Sequence, residues 1–328
     1  MNRRPTQDDV AQKAGVSRGL VSLALSGAPG VNKTTRERIL AAAESLGYVR
    51  NIGAAALAGK FHSTLGFVMP DLRNPFFDVL VSELQVGADF LNLLPVIVTS
   101  LNDADHEVEV IRKLHEMNVA GIVVVSPVET PEQLIRAASA LPLVVIGAEP
   151  TGGNIDVVAM DENAAAALVA THIRERGWQR ALHLSTPLKG GDIWVRRRQN
   201  ALAHALNGIP FEQATIEPST SLVRTIEEFE PKRENEPLAI IVHNDQLAMD
   251  VIPAVHSMGL TPGRDVAVVS YDDTHVARHP EWSLTSVSQD ASTLVSTALE
   301  RIRYRGDHLD LPGCEFLVEP ALSVRTTS

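Results

Sequence analysis

Arg18, Gly19, Ser22 and Leu23 fall on one side of a short stretch whose Val21 and Leu25 repeat at the spacing of a buried helix face. An arginine fork presented there fits guanine O6 and N7, a pairing worth about 1 to 3 kcal/mol of base discrimination. The side chains of Ser17, Ser22, Asn32 and Thr35, with backbone amides near helix starts, suit phosphate oxygens and set register. This chemistry reads a duplex. Bond-making alternatives find less support. No strand is followed by Gly-x-Gly-x-x-Gly, and no Gly-x-x-x-x-Gly-Lys-Ser/Thr occurs, so a dinucleotide or nucleotide phosphate lacks its backbone cradle. Asp272, His275 and His279 could ligate a metal, but no second ligand cluster accompanies them. Serine, histidine and aspartate occur without a marked nucleophile. The expectation is a protein that is not an enzyme and holds no cofactor or metal.

The elements that must carry these side chains lie between Thr6 and Tyr48. Thr6-x-x-Asp9 is a capping-box pattern opening a helix with Val10, Ala11 and Ala14 on one face, and Gly15 stops it. Ser17 caps a second helix. Thr34-x-x-Glu37 opens a third, with Ile39, Ala42, Ala43 and Leu46 inside and Gly47 closing it. Together these read as a helix-turn-helix with a supporting helix. Charge agrees. Through His62 there are nine Lys or Arg against four Asp or Glu, about +5, in a chain whose net charge is -11, leaving about -16 on the rest. Positive charge concentrated at one end of an acidic chain is an anion-seeking head.

Arg50 to Lys60 is rich in helix formers but only about two and a half turns long, which is marginal for an isolated helix. From Leu65 onward, short apolar runs alternate with helical patterns: Leu65 to Met69, Val96 to Val98, Ile122 to Val125, Leu143 to Ile146, Val157 to Met160, Leu238 to Val242 and Val266 to Val269. Such runs suit parallel strands covered on both faces. The length exceeds one ordinary core, so two doubly wound lobes with a cleft between the carboxyl ends of their sheets are expected. The expected boundaries are 1–49 for the helix-turn-helix, 50–62 for a linker and 63–328 for the body. Its first lobe spans about 63–160 plus 288–312, its second about 161–287 plus 313–328.

Val16-Ser17 with Val21-Ser22-x-Ala24-Leu25-Ser26-Gly27, then Arg50-Asn51 and Leu57-Ala58-Gly59-Lys60, resemble the lac repressor family. The resemblance continues through Pro70-Asp71-x-x-Asn74-Pro75-Phe76-Phe77, Asn244-Asp245-x-x-Ala248, Val269-Ser270-Tyr271-Asp272-Asp273, Leu284-Thr285-x-Val287-x-Gln289 and Val324-Arg325-Thr326-Thr327, and so covers nearly the whole chain. It implies an N-terminal all-α helix-turn-helix domain on an α/β effector domain of two parallel-sheet lobes, like that of periplasmic binding proteins. It also implies a homodimer on palindromic double-stranded operator DNA, probed through Tyr48, Asn51 and Ala58 as well as the recognition helix, with Leu57 wedged into the minor groove. A small sugar-like effector would lie among Asn74, Phe76, Phe77, Trp194, Arg198, Asn244, Asp272 and Gln289, biasing DNA affinity as in a repressor under allosteric control.

Some positions depart from the family pattern. Gly147 and Ala148 stand where many relatives place an acidic residue, Ala201 and Leu202 replace a common Gly-Phe pair, and Gly19 and Leu23 replace polar base readers, so direct readout rests heavily on Arg18. Cys314, the only cysteine, excludes an internal disulfide and reads as a packing residue. The first residues lack an apolar targeting stretch and no run reaches membrane-span length, so the expected compartment is the cytoplasm, with no membrane partner. The same observation counts against the runner-up, a secreted solute-binding protein of the same fold. No appended heptad helix follows Arg325, so a dimer is expected without further assembly.

Overall fold

The computed structural model describes residues 5–49, 64–128, 130–138, 141–149, 152–187, 193–217, 221–233 and 235–328, apart from the side chains of residues 138, 193 and 194. The expected linker, with Asn51, Leu57 and Ala58, lies outside the described residues. The chain divides into two compact units, Met1–Phe61 and His62–Ser328.

In the first unit, α1 (Gln7–Ala14) opens on the expected capping box: Asp9 N donates to Thr6 Oγ1 (3.4 Å) and Thr6 N to Asp9 Oδ2 (2.7 Å). Gly15 closes it in the left-handed region, at φ 63°. α2 (Arg18–Leu25) starts at Ser17, whose Oγ accepts from Leu20 N (3.3 Å). α3 (Lys33–Leu46) corrects one reading, because its cap is Asn32 and Thr34 is already helical. The Asn32 carboxamide reaches Thr35 N (2.8 Å), and asparagine is the better cap of the two. Val10, Ala14, Val21, Ala24, Ile39 and Ala43 close a small core, with Leu25 and Leu46 packed around it.

The second unit holds two sheets. The first runs β2 (Leu94–Thr99), β1 (Thr64–Met69), β3 (Ile122–Val125), β4 (Leu143–Ile146), β5 (Asp156–Met160) and β11 (Glu315–Val318), all parallel. α4 (Pro75–Phe90), α5 (Ala104–Glu116) and α6 (Pro131–Ala138) connect its strands, and α12 (Ala291–Asp307) packs beside α4. The second sheet runs β7 (Phe211–Thr215), β6 (Arg180–Ser185), β8 (Leu238–Val242), β9 (Ala267–Tyr271), β10 (Thr285–Ser288) and β12 (Ala321–Ser323), parallel except for β12 against β10. Its helices are α7 (Glu162–Glu175), α8 (Ile193–Ala205), α9 (Leu222–Glu227), α10 (Asp245–Ser257) and α11 (His275–Arg278). Apolar side chains cover both faces of each sheet. That is why the central strands read as unbroken apolar runs.

Both sheets reverse winding direction between their second and third strands, so each leaves a crevice at its carboxyl edge. The expected lobe boundary needs correction. Residues 313–328 do not stay in the second lobe, because β11 pairs with β5 (Phe316 opposite Val158) before β12 returns to β10. The chain thus passes between lobes after β5, after β10 and after β11. Cys314 is also corrected: it is exposed, and its backbone N–H donates to the buried Asp156 carboxylate (2.9 Å). Among the described residues no helix is long and apolar enough to cross a membrane.

Candidate functional site

The residues directly after the strands of the two lobes meet across one cleft. Asn74 follows β1, Ser126 follows β3, Gly147 and Ala148 follow β4, Thr186 follows β6, His243 and Asn244 follow β8, Asp272 follows β9 and Gln289 follows β10. They line a cavity of about 100 Å³. Turning the chain so sharply costs backbone strain: Ser126 at φ 46° and Asp272 at φ 101° occupy the left-handed side that side chains avoid.

Asn74 does two jobs. Its Oδ1 caps α4 by accepting from Phe76 N (3.0 Å), and its Nδ2 donates across the cleft to Asp272 Oδ2 (3.3 Å). Gln289 Nε2 donates to the other Asp272 oxygen. Burial, reinforced by the nearby Asp245 carboxylate, pushes the Asp272 carboxyl up to about 7 against the opposing pull of Arg198 and the two amide donors. Asp245 is itself buried and accepts from Thr274 N (2.7 Å), Thr274 Oγ1 (2.8 Å) and Ser286 Oγ (2.8 Å).

Arg198 reaches the cleft from α8. Its Nη2 donates to Glu162 Oε1 (2.8 Å), its Nε to both Glu162 oxygens (3.2 and 3.1 Å) and its Nη1 to the His243 carbonyl (2.6 Å), while its guanidinium lies 3.9 Å from the Tyr271 ring centroid. Burial opposes the charge, but Glu162 outweighs it and holds the guanidinium pKa above its ordinary value. Beneath this layer His183 and His243 meet edge to face at 5.9 Å. Burial, then the charge of Arg198, depresses both imidazoles, His183 to about 3. Both are therefore neutral at physiological pH.

All seven expected effector residues with described side chains line this cavity: Asn74, Phe76, Phe77, Arg198, Asn244, Asp272 and Gln289. Trp194 lies on α8, with its side chain outside the described residues. Glu162, Arg197 and His243 also line the cavity and were not anticipated. Their signal was available in the rule that ligands sit beyond the carboxyl ends of parallel strands: Glu162 and His243 follow apolar runs within two residues. Arg197 Nη2 donates to Glu315 Oε1 (2.8 Å) and its Nη1 to the Ala148 carbonyl (3.3 Å), so it joins the lobes. That pairing depends on where β11 lies, which the sequence misplaced. Among the described residues no group of three or more His, Cys, Asp or Glu is placed to hold a metal ion.

In the other unit, Ser17, Arg18, Gly19 and Leu23 are exposed together on α2, with Ser22 half-buried between them. A Cβ on Gly19 would meet nothing closer than Ser17 Oγ at 4.0 Å, so the start of this helix is unobstructed. Asn32 is exposed at the α3 cap, and Thr35 and Tyr48 are half-buried.

Residues 6–51 match the family described as bacterial regulatory proteins, lacI family, and residues 170–328 match a periplasmic binding protein-like domain. The regulator MalR of Streptomyces coelicolor is 27% identical over 97% of this chain and 94% of its own length. Catabolite control protein A of Priestia megaterium is 27% identical over 89% of each chain. Among solved structures, the lac repressor dimer bound to operator and the anti-inducer ONPF superposes with a TM-score of 0.81 at 25% identity, over 99% of both chains. The lac repressor bound to ONPG gives 0.83 at 26% identity, over 99% of this chain and 100% of that one.

Proposed function

Because the chain belongs to the lacI family of bacterial regulatory proteins, which makes it a DNA-binding transcriptional regulator, we propose that it acts as a homodimeric repressor of a palindromic operator. One short helix offers few base contacts, and two copies related by a two-fold axis read a site of matching symmetry. In this proposal Arg18 reads a guanine, Ser17, Ser22, Asn32 and Thr35 hold phosphates, Tyr48, Asn51 and Ala58 extend the contact, and Leu57 wedges open a base step. A small sugar-like effector between the lobes changes their angle and shifts the protein between two states of different DNA affinity. The observation that carries the proposal is the gathering of seven anticipated polar and aromatic side chains around one interlobe cavity, in a chain whose basic N-terminal region matches the lacI family.

The test is selection from a random duplex pool by the full chain. An enriched inverted repeat is expected, with Arg18→Ala relaxing preference at one symmetric pair of positions by about tenfold, equivalent to about 1.4 kcal/mol. Equal weakening on selected and random DNA would remove Arg18 as a base reader. Enrichment of no sequence would overturn operator recognition.

A further inference from the structure

One apolar side chain of α2 is not used by the core of the first unit. Val21 and Ala24 are buried there, and Leu20 and Leu25 pack against the same cluster. Leu23 stays outside it, 37% exposed. Helical periodicity groups Leu23 with Gly19, Ser22 and Ser26 on the face opposite Val21 and Ala24. Ser26 is turned back on its own helix, where its Oγ donates to the Leu23 carbonyl (3.1 Å).

A lone exposed leucine is ordinary, but this one adjoins bare backbone on the face offered to DNA. Helical side chains lean toward the N-terminus and cover the turn before their own, which for Leu23 is the turn of Gly19. Gly19 brings no side chain to that turn, and a Cβ built on it would meet nothing closer than Ser17 Oγ at 4.0 Å. The outcome is a small hydrocarbon surface with open space beside it. Arg18 borders the same face, its guanidinium 4.0 Å from the Asp8 carboxylate with both side chains 68% exposed, a loose pair that a nucleic-acid contact can replace.

In the major groove every base-pair edge presents donors and acceptors, and thymine alone adds a methyl group. Leucine laid over a hydrogen-bonding edge takes water from it and returns no bond, which is unfavourable. Laid over a methyl group, it buries hydrocarbon on both sides. We propose that Leu23, lying over the Gly19 turn, reads the thymine 5-methyl group at one position in each half of the operator, while Arg18 reads the guanine. This rests on α2 being the helix that enters the major groove.

The test uses the inverted repeat enriched by the full chain, with each symmetric pair of thymines replaced in turn by deoxyuridine, which lacks only the methyl group. At one pair the unsubstituted protein should lose affinity about fourfold per half-site, or about fifteenfold for the duplex. Leu23→Ala should bind the thymine duplex about as weakly as the unsubstituted protein binds the uracil duplex, and its own thymine preference at that pair should shrink to about twofold or less. Arg18→Ala should keep the thymine preference in full. Tolerance of uracil at every pair overturns the proposal, as does a thymine preference that survives undiminished in Leu23→Ala or vanishes in Arg18→Ala. An enriched repeat indifferent to uracil removes Leu23 as a reader and leaves operator recognition standing; enrichment of no repeat removes both.

Discussion

The two lobes wind their strands in the same order, yet their most deeply buried arginine–carboxylate pairs lie at different edges. In the first, Asp156 at the amino end of β5 receives Arg301 Nε (2.8 Å), Arg305 Nε (3.0 Å) and Cys314 N (2.9 Å), a knot remote from the cavity. Burial alone would raise the Asp156 carboxyl, but the two arginines reverse that and lower it. In the second, Arg198, Glu162, Asp245 and Asp272 sit at the carboxyl edge, on or just behind the cavity wall. A shared topology therefore fixes where a ligand can lie, while in the proposed effector site the placement of charge assigns recognition to the second lobe.

The sharpest way to break this contrast is to remove one arginine from each knot. Arg198→Ala and Arg305→Ala should each destabilise the body by about 3 to 5 kcal/mol in urea unfolding, because each leaves a carboxylate buried and underpaired. Only Arg198→Ala should abolish effector binding in the fraction that remains folded. Equal ligand affinity in both variants would remove the assignment of recognition to the second lobe.

Asp272 gives the next largest effect. Its folded pKa, about 7, lies above the unfolded value of about 3.9, so the stability it contributes is whole below about pH 4 and fades as pH climbs through 7. Asp272→Asn keeps a neutral group at every pH. Its melting temperature relative to the unsubstituted protein should therefore rise between pH 4 and pH 7, and a constant difference would mean that the carboxyl titrates normally.

His183 has the opposite sign. Its folded pKa, about 3, lies below the unfolded value of about 6.5, so its contribution is present above pH 6.5 and is lost as pH falls. Neither ring nitrogen has a hydrogen-bond partner, and an apolar replacement leaves nothing unsatisfied. His183→Leu should thus gain about 1.4 kcal/mol at pH 5.5 relative to its effect at pH 8, measured by urea unfolding at both pH values.

The smallest effect is expected on the first-lobe wall. Asn74→Ala removes an N-cap and a hydrogen bond to Asp272, costing about 1 kcal/mol in urea unfolding. A loss as large as that of Arg198→Ala would show that the first lobe carries recognition too.

The sequence revealed what periodicity and capping control. Thr6 with Asp9, the glycine stops and the apolar runs of β1, β3, β4, β5, β8 and β9 announced their elements, because strands covered on both faces admit few polar residues. β6 was hidden by Arg180 and His183, polar residues buried by tertiary contacts. β7, β11 and β12 are edge strands with partly exposed positions, where the pattern weakens. Apart from Arg198, the cavity residues found in advance lie within the family motifs. Arg197 escaped because it is defined by a partner far along the chain, Glu315, 118 residues away.

Reciprocity between the two sites tests the central claim most directly. If one equilibrium links cleft and DNA, a metabolite that shifts affinity for the selected duplex by some factor must have its own affinity shifted by that factor when the duplex is present. Calorimetric titration of that metabolite into free and duplex-bound protein should return the same ratio as the duplex titrations with and without it. Identical metabolite affinities in the two titrations would contradict the account.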